Sequence, residues 1–159
     1  MSVPLDLIEA YLDGPAQVRR AVGGLTADQL TARPVQGKWS TLEVVCHLAD
    51  FEPILADRMK RVIAEDRPTL IGADENRFAA ALAYQERDLE EELTIIERTR
   101  GQLARILRTL KPEALERVGL HNERGPLTLQ QLLANGVGHI PHHVKFLQEK
   151  RKALGLPAS

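Results

Sequence analysis

The residues best suited to chemistry are gathered in GVGHIPHHVKFL, residues 136–147, where His139, His142 and His143 fall within five positions around Pro141. A neutral imidazole can bind a divalent metal ion through one ring nitrogen at about 2.0–2.1 Å, or exchange a proton near neutral pH. His139 and His143 are four residues apart. On a helix that spacing puts their Cβ atoms about 5–6 Å apart, near enough to share one ion. The steps Leu132, Gly136, His139, His143 and Leu147 alternate threes and fours, as an inward-facing seam does. His142 falls instead on the polar flank with Asn135, Gly138, Lys145 and Glu149. It is therefore a candidate proton carrier or substrate contact at the mouth of a site, with an exposed helix position as the alternative. Pro141 removes one helical hydrogen bond and crowds the carbonyl of Val137, at about 3 kcal/mol if nothing compensates. A kink there would change the relative aim of the two flanking histidines.

His47 follows the same logic in LEVVCHLADFE, residues 42–52: it lies beside the apolar stripe of Val44, Leu48 and Phe51. Its own row holds Glu43, Asp50 and Ile54. A carboxylate one turn from a buried histidine can accept the free ring N–H and fix the tautomer. Asp50 is the favoured acceptor, because Glu43 has capping-box spacing from Ser40. On spacing alone, the three histidines are either an open metal site or satisfied core residues.

Four long helical segments must position these side chains. The first is expected from about Pro4 to Val22, with Gly23 and Gly24 as its stop. The second runs from Ser40 to near Asp66, the third from about Asp88 to Leu110, and the fourth from Thr128 to about Leu154. Short helices are expected at Thr26–Leu30 and in NRFAAALAY, residues 76–84. The three connections, about 17, 21 and 17 residues, exceed the usual span between antiparallel neighbours, so crossovers with parallel consecutive helices are allowed. Two short extended pieces are expected around Glu123–Gly125. The predicted fold class is all-α, a four-helix bundle with long crossover connections, as one domain over residues 1–159.

Bulk composition narrows the function classes. With 21 basic and 22 acidic residues, the charge gives no reason to expect nucleic acid or an anionic membrane as partner. A single cysteine, Cys46, cannot form an internal disulfide, and the N-terminal residues lack a secretory pattern, so the cytoplasm is the expected compartment. Cys46 sits beside Leu42 and Ala49 and reads as a small packed residue. Arg58 and Glu52 read as members of ion pairs within the bundle, and Trp39 as an anchor for the second helix or a wall of the site. No phosphate loop and no serine nucleophile motif points to a substrate.

The segments LTADQLTARPVQGKWSTLEVVCHLADFE and GPLTLQQLLANGVGHIPHHVKFL resemble the two signature regions of the DinB superfamily, which includes the YfiT-like metal-dependent hydrolases. The likeness rests on a Trp-Ser helix start (Trp39, Ser40), a histidine seven residues later (His47), and a late His-x-x-x-His pair (His139, His143). It extends over nearly the whole chain, including the Gly-x-x-Thr-Leu entry to the last helix at Gly125–Leu129. The resemblance implies a four-helix bundle in which His47, His139 and His143 hold a divalent metal ion: zinc or nickel, with iron or manganese as alternatives. It also implies a small-molecule substrate and either a thiol-dependent S-transferase using a low-molecular-weight thiol or a hydrolase using water. A homodimer is the expected assembly. His121 matches a loop position where some relatives carry a polar residue over the site. Metal or ligand binding without turnover, as in a stress-response bundle, is the alternative function.

Overall fold

The computed structural model describes residues 3–159. Helix α1 spans Leu5–Val22, and the chain leaves it through Gly23 and Gly24, the latter at φ 76°, which only glycine adopts freely. The short α2 (Ala27–Thr31) opens on a capping box of Thr26 and Gln29. Helix α3 spans Thr41–Ala64, and a Ser40–Glu43 capping box satisfies its first orphan N–H groups. Helix α4 (Glu75–Ala81) starts where the Asp74 carboxylate accepts from the N–H groups of Asn76 and Arg77. Helix α5 spans Leu89–Leu107 behind an Asp88 cap, and α6 spans Leu129–Ala153 behind a Thr128–Gln131 capping box. Helix α5 stops short of the expected Leu110. The N–H groups of Thr109 and Leu110 turn back to the carbonyls of Ile106 and Leu107, ahead of Pro112.

A small sheet joins the connections. Strands β2 (Val118–His121) and β3 (Gly125–Thr128) form an antiparallel hairpin, the extended pair expected there, with Gly125 at φ 73°. Strand β1 (Thr69–Leu70) adds in parallel to β2, pairing Leu70 with His121. Strand β1 has no sequence signature, since two residues are too few to show a period. Arg117 fastens the sheet to the end of α3 by donating to the carbonyls of Val62 and Glu65, at 2.7 Å each.

Helices α1, α3, α5 and α6 form the bundle. Both α1 and α3 pack on α5 and α6, so α1 and α3 occupy opposite corners. One core layer combines Ile8 and Tyr11 of α1, Met59 and Val62 of α3, Leu103 and Leu107 of α5, and Leu129 and Leu132 of α6. The other combines Val18, Val44, Leu48, Leu93, Ile96, Ile140 and Leu147. The first layer draws on the beginnings of α1 and α6 but the ends of α3 and α5. Helices α1 and α6 therefore run one way, and α3 and α5 the other. Consecutive α3 and α5 are parallel neighbours, as their long connection permits.

Between the apolar layers lies a buried polar one. Arg100 and Glu52, both 0% exposed, pair at 2.6 and 2.9 Å. The Glu52 partner is thus Arg100, while Arg58 donates to the Ile71 carbonyl. Pro15 leaves the Tyr11 carbonyl without its helical N–H, and Arg100 donates to that oxygen at 2.6 Å. Arg100 also donates to the Gly136 carbonyl at 2.7 Å and lies over the Tyr11 ring. All four bundle helices meet at this one guanidinium. Among the described residues no helix is long and apolar enough to cross a membrane.

Candidate metal centre

The early turns of α3 and the middle of α6 bring His47, His139 and His143 together. The His47 Nε2 atom lies 3.2 Å from Nε2 of His139 and 3.1 Å from Nε2 of His143. His47 is 1% exposed and His143 9%. An ion bound tetrahedrally at about 2.0–2.1 Å holds its ligand nitrogens about 3.3–3.4 Å apart, close to the spacing found here. A proton on Nε2 could bridge one pair of rings, but a third lone pair would still face the others. A cation among them removes that opposition. The three Nδ1 atoms point away from this convergence and are buried without a hydrogen-bond partner within 3.5 Å, so Nε2 is the nitrogen each ring presents to an ion. The donor set fits a divalent ion, and imidazole suits zinc, nickel and iron alike.

The electrostatics keep His47 and His143 neutral. Burial, followed by the neighbouring His139, pushes His47 down to about 4. Burial and then His47 and His139 push His143 down to about 3. Neutral imidazoles are the ligand form. Glu52 carries the polar layer into the site: its Oε1 lies 3.6 Å from His139 Nδ1. Burial alone would raise the Glu52 carboxyl, but His139 and the Arg100 guanidinium beside it hold it below its ordinary value. A carboxylate there favours the His139 tautomer with its proton on Nδ1.

This supporting role had been expected of Asp50 and Glu43, and the structure places both elsewhere. Asp50 is bound by Arg87 at 2.7 and 3.2 Å. Glu43 accepts from Arg33 at 2.6 and 3.0 Å and from the Ser40 N–H at 2.7 Å. Their one-turn spacing from His47 was right for a contact, but a cation competes better for a carboxylate than a neutral ring N–H does. His121 is away from the cluster: its Nδ1 accepts from the N–H groups of Glu123 and Arg124 in the hairpin. Cys46 is buried, its thiol donates to the Tyr84 carbonyl at 3.4 Å, and burial pushes it up to about 12, so it is no nucleophile.

His139 and His143 open into a cavity of about 540 Å³ walled by Trp39, Phe146, His142 and Lys150, among others. Trp39 thus lines the site as well as anchoring α3, with its ring 5.4 Å from that of His47. His142 is exposed, with its ring 5.1 Å from the ring of His143. Glu75, at the start of α4, also lines the cavity, with Oε2 3.8 Å from His47 Nε2. Sequence reasoning missed Glu75 because it comes from a connecting helix. Its only early signal was the Asp74 cap that fixes where that helix starts.

Comparison with known proteins agrees with this geometry. The model of the DinB superfamily matches residues 10–147. A protein of Bacillus subtilis strain 168 named "Putative metal-dependent hydrolase YfiT" is 27% identical over 149 residues, covering 93% of this chain and 84% of that one. A protein of Oceanobacillus iheyensis with the same style of name is 29% identical over 142 residues, covering 88% and 82%. The solved structure of YfiT, described as a probable metal-dependent hydrolase with an unusual four-helix bundle topology, superposes with a TM-score of 0.89. It shares 26% identity and covers 96% of this chain and 87% of that chain. The chain belongs to the DinB superfamily.

Proposed function

We propose that this member of the DinB superfamily is a metal-dependent hydrolase of a small molecule, with a zinc- or nickel-class ion held by His47, His139 and His143. The observation that carries the reading is the convergence of three Nε2 atoms beside an open cavity that His139 and His143 line. Three neutral ligands leave the charge of a bound divalent ion uncompensated, which supplies Lewis acidity to polarise a substrate oxygen and to acidify a water or thiol. Glu75 holds its carboxylate beside the same point and takes the nucleophile's proton at Oε2. Glu52 keeps the His139 ring proton on Nδ1, so Nε2 remains a donor. His142, at the rim, exchanges protons with solvent. Trp39 and Phe146 shield the inner end of the cavity from water.

A second reading, transfer of a low-molecular-weight thiol, draws on the same neutral shell, which activates a thiol as readily as a water. Glu75 favours hydrolysis, because a carboxylate base beside the nucleophile is what hydrolysis needs. The test is a panel of esters and amides, and of thiols paired with electrophiles, on metal-loaded and chelated protein. Metal-dependent hydrolysis without thiol, reduced about a hundredfold or more in Glu75→Gln at unchanged metal content, is the expected result. Turnover only with thiol would assign the transferase. Silence from fully loaded protein would leave a binding role.

A further inference from the structure

The Lys150 side chain is 2% exposed and lines the same cavity as His139 and His143, and among the described residues its ammonium makes no hydrogen bond or ion pair. The Nζ atom is not among the fully enclosed unpartnered atoms, so the ammonium faces the cavity on a buried stem, and burial still pulls it below its ordinary value. Its neighbours do not supply the missing anion. Glu149 is exposed and beyond ion-pair distance, and Glu43 is occupied by Arg33 and the Ser40 N–H. Glu75 stands at the histidine end of the cavity, and Lys38, exposed on the same wall, adds positive charge.

Lys150 is seven residues after His143 on α6, so both project from one face, about 10 Å apart along the axis. Phe146 lies between them, and Trp39 also walls the cavity. We infer that the cavity takes a substrate bearing a carboxylate, which Lys150 binds about two helical turns from the reacting group, with the apolar middle of the molecule against Phe146 and Trp39. Apart from the ion, the charges lining the cavity cancel, Lys38 and Lys150 against Glu75 and Glu149, so at the Lys150 end a single carboxylate is matched better than a dianionic phosphate. This inference rests on the histidine site for where the reacting group sits, but the carboxylate contact can be tested apart from turnover.

The experiment is isothermal titration of zinc-loaded protein with two probes: octanohydroxamic acid, and the same chain length ending in a carboxylate, suberic acid monohydroxamate. The neutral hydroxamate reports the metal site alone, and the ratio of the two affinities reports Lys150. The carboxylate probe should bind about tenfold tighter than the neutral one, the size expected of one charged hydrogen bond. Lys150→Met should abolish that preference while leaving the neutral probe's affinity unchanged, and Lys150→Arg should restore most of it. A ratio near one in the native protein overturns the inference whether or not either variant folds. So does a full preference retained in a folded Lys150→Met. Failure of the neutral probe to bind would count against the metal site instead.

Discussion

At the scale of single residues, register on α6 decides the chemistry. His142 and His143 are adjacent, but one is exposed at the rim and the other buried in the cluster. His139→Ala or His143→Ala should therefore lose the metal, whereas His142→Ala should retain it, as measured by metal content after dialysis. The opposite pattern would mean that the faces are misassigned. This register was legible in the sequence because alternating steps of three and four mark an inward seam. The carboxylate partners were not. Asp50 had the right spacing from His47 but is held by Arg87, whose position depends on a distant connection. Cys46 gives a pH prediction. Its thiol is pushed up to about 12 from an ordinary 9.0, so above about pH 9 the unfolded chain releases a proton that the native state keeps. The native state then binds more protons, and stability falls as pH rises through that window. Cys46→Ala should show a smaller loss between pH 8 and pH 10.5 in denaturant titrations. Native Cys46 should also resist alkylation at pH 8 and react once unfolded.

At the scale of elements, the bundle is pinned where Pro15, Gly14 and Gly136 let α1 and α6 approach Arg100. A Cβ on Gly14 would stand 2.5 Å from Arg100 NH1 and 2.9 Å from Ile140 Cδ1, so only glycine leaves room for the guanidinium. Arg100→Met should cost about 3–5 kcal/mol in denaturant unfolding, because it strands a buried Glu52 carboxylate and the Tyr11 carbonyl. A loss below 1 kcal/mol would show that the buried layer is not a structural centre. The helices themselves were readable from capping boxes at Thr26, Ser40 and Thr128, each a local pattern four residues long. Arg100, Glu75, Lys150 and β1 were not readable, since each acquires its role from a segment far away in sequence. Glu52 was legible as half of an ion pair, but its partner Arg100 was not, for the same reason.

At the scale of the whole molecule, the cluster ties the start of α3 to the middle of α6, two antiparallel helices whose His47 and His139 lie 92 residues apart in sequence. An ion bound only by the folded state stabilises it by RT ln(1 + [L]/Kd), about 2.7 kcal/mol at a hundredfold excess over Kd. Chelation should therefore lower the Tm without unfolding the bundle, which its two apolar layers hold together without the ion. Identical melting curves before and after complete metal removal would argue against a cross-link between the helices.

The most direct test of the central claim, that His47, His139 and His143 form one divalent-metal site, is elemental analysis of untagged protein reconstituted with zinc or nickel and then desalted. One ion per chain, falling to none in His47→Ala, is the predicted result. No retained ion in the native protein with either metal, or an undiminished ion in folded His47→Ala, would contradict it.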